Sequence, residues 1–304
     1  MTAPDTPRLA PLGHLGGDRA ASERTLPDLL AEARAQEGAR ALVLVGDRAP
    51  LAAGDRLAWV SPDQAPEGGE WAFLGRDDSG APLLLCAFPG DAEEAVAAAA
   101  GWSSLRASGG ALTPDDAARF VEALSLGRWL LDAPFCSFCG TRAHILDGGW
   151  SRRCPGCGRT HFPRTDPAVI VAVTHPDDSD LLLLGSNAAW ARERYSCFAG
   201  FVEAGESLES AVVREVEEEA GVRPRSVRYH GSQAWPYPRS LMLGFFAEAD
   251  DAVAARADGE EIADVRWFSR DEIGAALDRG GEMILPGPAS IAHMLITDWF
   301  EERA

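Results

Sequence analysis

GFVEAGESLESAVVREVEEEAGV, residues 200–222, places three glutamates on one face of a predicted helix. Residues Ser207 to Ala220 have helix-forming composition, and Glu215, Glu218 and Glu219 stand in i, i+3 and i+4 relation, so their carboxylates share a face. Three like charges there repel one another, and in an isolated run a solvated acidic face would account for them. Glu206 changes that reading, because it lies ahead of the helix and can pair with Arg214, holding the loop against the helix. The remaining carboxylates then form a hard oxygen site of the kind that takes Mg2+ or Mn2+.

Around this helix, strands are expected at Ala168 to Thr174, Leu181 to Leu184, Phe198 to Val202, Ser226 to Ser232, Leu241 to Glu248 and Ala263 to Phe268. A turn at Pro176 to Ser179 joins the first two. Further helices are expected at Arg270 to Arg279 and Ala289 to Glu301. Mixed strands with helices on both faces imply an α/β/α sandwich.

Upstream, Cys136-Ser-Phe-Cys139 and Cys154-Pro-Gly-Cys157 are separated by fourteen residues, enough for a hairpin to bring two knuckle turns around one tetrahedral ion. Four thiolates at that spacing suit a structural Zn2+, with a redox pair as the alternative. A catalytic zinc needs an open position, which four cysteines do not leave. His161 lies close by and is read as a packing or surface histidine rather than a fifth ligand. Cys86 and Cys197 sit in apolar stretches and are read as small buried thiols.

The first part of the chain carries no catalytic motif of its own. Residues 1 to 25 are rich in Pro and Gly, Thr25 to Arg40 resembles a short helix, and strands follow at Ala41 to Val45, Arg56 to Val60, Glu70 to Leu74 and Pro82 to Phe88. Two helices are expected next, Asp91 to Ala100 and Thr113 to Leu131. The second opens with Thr113, Pro114 and Asp116, much like a capping box. Its stripe of Ala117, Phe120, Leu124 and Leu131 includes Gly127, where a neighbouring element can approach closely. The fold class is therefore α+β: an N-terminal α+β domain over residues 1–133, a four-cysteine zinc ribbon over 134–163, and the sandwich over 164–304.

The 304 residues carry a net charge of −19. That repels phosphate backbones at long range and argues against general nucleic-acid binding, while an acidic balance fits a site that gathers divalent cations. No apolar run of signal-peptide or membrane-spanning length is present, so a cytoplasmic protein without a membrane partner is expected.

Residues 200–222 resemble the Nudix box at Gly200, Glu206, Arg214, Glu215, Val216, Glu218, Glu219, Gly221 and Val222. The later stretch SQAWPYPRS, residues 232–240, resembles the SQPWPFPxS signature of the NADH pyrophosphatase subfamily, and the ribbon precedes both in the order that subfamily uses. The resemblance implies metal-dependent hydrolysis of the pyrophosphate bond of NADH or NAD+ to nicotinamide mononucleotide and AMP, in some members removal of NAD caps from RNA, and a homodimer. It makes Glu215 and Glu219 principal Mg2+ or Mn2+ ligands, Glu218 a further ligand or the water-activating base, and the Ala199 carbonyl a contributor. A fourth carboxylate from a later loop is expected at Glu261, six residues before Trp267, with Glu260 as the register alternative.

On the substrate side the resemblance assigns base-clamping aromatics to Phe162 and Phe201, and a backbone contact to Ala292. The stretch Gln233, Ala234, Trp235, Pro236, Tyr237, Pro238, Arg239 and Ser240 becomes substrate-contacting. Its alternating prolines and aromatics suggest a rigid, extended segment that cannot continue a sheet ladder, with ring faces suited to base stacking. Ala234 departs from the signature's Pro and Tyr237 from its Phe, and a family acidic contact falls on Gly149. The competing readings are a Nudix hydrolase of ADP-ribose or dinucleoside polyphosphates and a non-catalytic nucleotide sensor.

Overall fold

The computed structural model describes residues 9–302 except 15, 54, 191, 192, 279 and 280. The chain forms two units, one of His14–Thr165 with Pro236–Arg239, the other of Asp166–Trp235 and Ser240–Ala304 with the described part of Met1–Gly13.

In the first unit a short helix α1 (Leu29–Ala35) precedes five strands, β1 (Arg40–Val45), β2 (Arg48–Pro50), β3 (Glu70–Arg76), β4 (Pro82–Phe88) and β5 (Trp102–Ser104), in the spatial order β3-β4-β1-β2-β5. The central pair, β1 and β4, runs parallel. Its near-continuous apolar sequences are buried from Ala41 to Val45 and Leu83 to Ala87, the pattern of strands covered on both faces. After α2 (Leu105–Ser108), the long helix α3 (Pro114–Asp132) starts at Thr113, whose hydroxyl accepts from the Asp116 N–H, and buries Phe120 and Leu124 completely. Gly127 sits where a Cβ would stand 3.3 Å from Ala87 and 3.4 Å from Leu44 and Leu85, so its lack of a side chain seats the helix on the sheet.

The expected helix at Asp91 to Ala100 is absent. Its alanines offer little apolar surface, with only Val96 buried among its hydrophobic residues, and its end is drawn off by exchanged bonds between Leu51 and Ala100–Gly101. Arg56 to Val60 is not a strand; Leu57 and Val60 make only isolated bridges to Leu51 and Ala41. The helix expected from Thr25 shrinks to α1 alone.

The cysteine segment forms a three-stranded sheet of β6 (His144–Leu146), β7 (Ser151–Arg153) and β8 (Thr160–His161). It packs within the first unit, where the Trp150 indole donates to the Phe73 carbonyl at 2.7 Å.

The second unit holds a six-stranded mixed sheet. Its strands are β9 (Asp166–Thr174), β10 (Leu181–Asn187), β11 (Phe198–Phe201), β12 (Pro224–Trp235), β13 (Ser240–Ala249) and β14 (Ile262–Ser269). The order is β12-β13-β9-β10-β14, with β11 also paired to β9. Period-2 alternation divides β9 between two cores. Val169, Val171 and Val173 meet Ala211, Val212, Val216 and Ala220 of α4 (Leu208–Ala220). Ile170 and Ala172 join the core that holds Ile273 of α5 (Arg270–Leu277) and Ile291, Leu295 and Ile296 of α6 (Ile291–Phe300). This is the expected α/β/α sandwich. Arg279, the expected end of α5, lies outside the described residues.

The proline segment departs from expectation. Gln233, Ala234 and Trp235 continue the ladder, opposite Met242, Leu241 and Ser240. The prolines occupy the turn that follows, with a cis Tyr237–Pro238 bond; a missing N–H is harmless there. No helix among the described residues is long and apolar enough to cross a membrane.

Gly149 is locked in place by its neighbours. At φ +97°, a Cβ would lie 2.5 Å from the Ala72 Cβ and 2.9 Å from its Cα. Strain in that backbone region costs about 1–3 kcal/mol before the collision is counted. Gly149→Ala should therefore lower the thermal midpoint of the first unit by several degrees, read by calorimetry against the unaltered protein.

Candidate active site and metal centres

Local sequence fixes α4 at both ends. Ser207 caps the start by accepting from the Ser210 N–H at 3.1 Å, and Gly221, at φ 69°, ends it with its own N–H on the Glu217 carbonyl. The apolar stripe seats the helix on the sheet, so Glu215 and Glu219 come up against β11. Together with Ala199, Gly200, Phe201, Glu203, Arg214, Ser240, Met242 and Glu261 they line a cavity of about 420 Å³.

Arg214 organises this site. Its guanidinium grips Glu206 through Nε–Oε1 and Nη2–Oε2, both 2.9 Å, and donates to Glu215 at 2.8 Å, Glu218 at 3.1 Å and the Phe201 carbonyl at 2.9 Å. The expected Glu206–Arg214 pair is thus a bidentate fork. It holds the Glu206 carboxyl below its ordinary range, aided by the Glu203 N–H, and raises Arg214 further above its own.

Glu215 and Glu219 shift the other way. Burial raises both, Glu219 to about 8, with Glu261 and Glu215 adding repulsion while a hydrogen bond from the Ala199 backbone opposes the rise. Oε2 of Glu219 is buried without a hydrogen-bond partner. A buried, unpartnered carboxylate oxygen beside two further carboxylates is the environment a divalent cation relieves. Gly200 adds a steric observation, since a Cβ there would stand 2.0–2.1 Å from the Glu215 carboxyl atoms. The donor set fits Mg2+ or Mn2+. Glu218 is 61% exposed and lines a neighbouring hollow, and Glu260 is not among the cavity's lining residues.

The four sulfurs of Cys136, Cys139, Cys154 and Cys157 lie within 4.8 Å of one another, the only such group found among the described residues. The Cys136–Cys157 and Cys139–Cys154 contacts are 3.6 and 3.3 Å, and no disulfide forms among the described residues. Four thiolates at this spacing fit a tetrahedral Zn2+. His161 Nε2 approaches Cys136 Sγ at 3.2 Å, a contact to a ligand atom that suits a supporting donor.

The expected substrate residues are dispersed. Phe201 is 54% exposed on the cavity wall and Ser240 lines it, while Phe162 stands 60% exposed on the ribbon. Gln233 is buried and spent on backbone, donating to the Pro11 and Ala289 carbonyls at 2.6 and 2.8 Å and accepting from the Ile291 N–H at 2.8 Å. Ala292 is buried in the second-unit core. Tyr237 accepts from the Arg106 N–H at 3.2 Å beneath the Arg106 guanidinium, and Pro236 accepts from Arg128 at 3.2 Å. Ala234, Pro238 and Arg239 line none of the cavities described. Glu203, Met242 and Ala168 line the catalytic cavity unread. The last two are ladder partners, Ala168 also facing Phe201, a relation visible only once strand register is known.

Gly200→Ala should displace the Glu215 carboxylate and weaken Mn2+ binding by about tenfold or more, measured by titration calorimetry, without unfolding the second unit. Because Glu219 holds a proton up to about pH 8, cation binding at pH 7 should release protons, and affinity should rise with pH and level off above about 8. Calorimetry in buffers of different ionisation enthalpy reads both.

Comparison with known proteins adds to this geometry. Residues 132–162 match the NADH pyrophosphatase zinc ribbon domain and residues 164–284 the NUDIX domain. The chain is 40% identical over 311 aligned positions to the NAD-capped RNA hydrolase NudC of Mycobacterium tuberculosis, covering 95% of this chain and 94% of that protein. It is 38% identical over 198 positions to the human NAD-capped RNA hydrolase NUDT12, covering 62% of this chain and 42% of that one. Among solved structures, a NUDIX hydrolase from Nitrosomonas europaea aligns with 27% identity and a TM-score of 0.44, over 56% of this chain and 91% of that one. The box, the ribbon and the 40% identity over 95% of the chain converge: this chain belongs to the NADH pyrophosphatase family of Nudix hydrolases.

Proposed function

We propose that this protein hydrolyses the pyrophosphate bond of NADH and NAD+, releasing a nicotinamide mononucleotide and AMP, and that the same reaction removes NAD caps from RNA. The carrying observation is the unpartnered, buried Glu219 oxygen in a cavity shared with Glu215 and Glu261. Those three carboxylates would hold Mg2+ or Mn2+, with the Ala199 backbone beside them. A cation held by these residues would supply Lewis-acid chemistry, activating water and offsetting negative charge in the transition state.

The chain's own part is positioning. Arg214 keeps Glu215 and Glu206 in place, Gly200 leaves room for the Glu215 carboxylate, and Phe201 offers an exposed ring for a base. Glu218, exposed and bonded to Arg214, is the candidate for a further cation ligand or for the water-activating base. The cysteine quartet would brace the ribbon around zinc, and cysteines without disulfides suit a reducing cytoplasm. The resemblance further supports a homodimer.

Gly149 favours a second reading of substrate choice. With no side chain where the family places an acid, discrimination among NADH, NAD+, ADP-ribose and dinucleoside polyphosphates rests on other residues.

Product analysis with each substrate and Mn2+ or Mg2+ tests both. AMP formed fastest from NADH supports the primary reading; AMP from ADP-ribose alone would reassign the pocket, and no product would leave a nucleotide sensor. Glu219→Gln should lower kcat by about 100-fold or more while circular dichroism stays unchanged; unaltered turnover would refute the metal assignment.

A further inference from the structure

The ribbon carries charge of the opposite sign to the chain. Residues 134–165 contain five arginines and one aspartate, in a protein of net charge −19. Even against the two negative charges of a zinc held by four thiolates, the segment stays positive. Arg152 is buried, donating to the Ala143 and Leu130 carbonyls, and Arg142 pairs with Glu70 at 3.4 Å. Arg153, Arg159 and Arg164 are exposed, and among the described residues none has a carboxylate within ion-pair distance. Three uncompensated guanidinium groups on an acidic protein are a local anion-binding face.

The ribbon also exposes rings. Phe135, Phe138 and Phe162 are 59, 63 and 60% exposed. The Arg159 guanidinium lies 3.4 Å above the centre of the Phe138 ring, so the two knuckle turns together present a flat cation–aromatic pair. Sheet register adds a third element. His144, Arg153 and Thr160 are successive cross-strand partners over β6, β7 and β8, and all three are exposed. The other row, Ile145, Arg152 and His161, contains the buried arginine. One side of this small sheet therefore offers a cation and hydrogen-bonding groups, and the same short ribbon exposes three rings.

We infer that this ribbon face binds single-stranded RNA. Unpaired arginines meet phosphates, while exposed aromatics stack on bases that a duplex keeps covered. A protein partner would find little apolar continuity between the arginines, and duplex nucleic acid would leave the rings idle. The assignment rests on the decapping reading above, because it supplies a hold on the RNA body that the acidic remainder of the chain does not.

The test is fluorescence anisotropy of the full-length, zinc-loaded protein with a short labelled single-stranded RNA over a series of salt concentrations, alongside hydrolysis of free NADH. The unaltered protein should bind with log K falling linearly in log salt. R153Q/R159Q should bind at least about tenfold more weakly at moderate salt, with a slope shallower by about 1.4, the value for two lost phosphate contacts on a single strand. F138A should weaken binding without changing the slope. Both variants should keep their zinc and the full rate on free NADH. Unchanged affinity and slope in R153Q/R159Q would overturn the inference, as would equal affinity for duplex DNA. Absence of NADH turnover in the unaltered protein would instead strike the catalytic reading, and a slope change would still support this face.

Discussion

A single guanidinium ties three carboxylates together in the second unit. Glu206, Glu215 and Glu218 all bond to Arg214, which also donates to the Phe201 carbonyl. Without a fixed positive charge, the loop at Glu206 and the helix bearing Glu215 would repel each other. With it, the loop, the helix and the end of β11 are fastened at one point. The fork does not extend to Glu219, so this carboxylate meets burial and the charge of Glu261 without the guanidinium that offsets them at Glu215. Stabilisation of the frame and destabilisation of one ligand come from the same arrangement, and the second is what gives a divalent cation something to relieve.

The sandwich was legible because its signals are local and periodic. Val169, Val171 and Val173 alternate with Ile170 and Ala172, and the two sets enter separate cores. The cap at Ser207 and the stop at Gly221 are likewise written in adjacent residues. The spacing of the cysteines conveyed the four-sulfur cluster, and the spacing of the glutamates conveyed the pair, Glu215 and Glu219, that lines the cavity, since metal-ligand chemistry constrains residue type as well as position. The first unit was harder. Asp91 to Ala100 has the composition of a helix but no stripe to bury, and its end bonds to Leu51, some fifty positions back in the chain. No local window contains that partner. Gln233 failed for a similar reason, because its ties to Pro11, Ala289 and Ile291 come from segments far apart in sequence.

Gln233 also illustrates how a signature can serve architecture. One amide satisfies the Pro11 and Ala289 carbonyls and the Ile291 N–H, a donor that the start of α6 leaves without a helical partner. The bracket holds β12 to that helix and to the described start of the chain, all inside one unit. Its neighbours Pro236 to Arg239 then continue as a turn whose carbonyl and ring are engaged by Arg128 and Arg106. A run of eight residues is thus divided between interior hydrogen bonding and a surface turn, and Ser240 alone of them lines the catalytic cavity.

Gly149 has an evolutionary meaning as well as a mechanical one. The space a side chain would need is filled by the backbone of β3, with the Ala72 Cα at 2.9 Å and the Trp71 carbonyl at 3.1 Å. Trimming Ala72 would not clear it. An acid at this position therefore lies more than one mutational step away, since the strand itself would have to move first. With this packing, substrate preference has to be tuned elsewhere, because the sheet next door leaves no room for a side chain here.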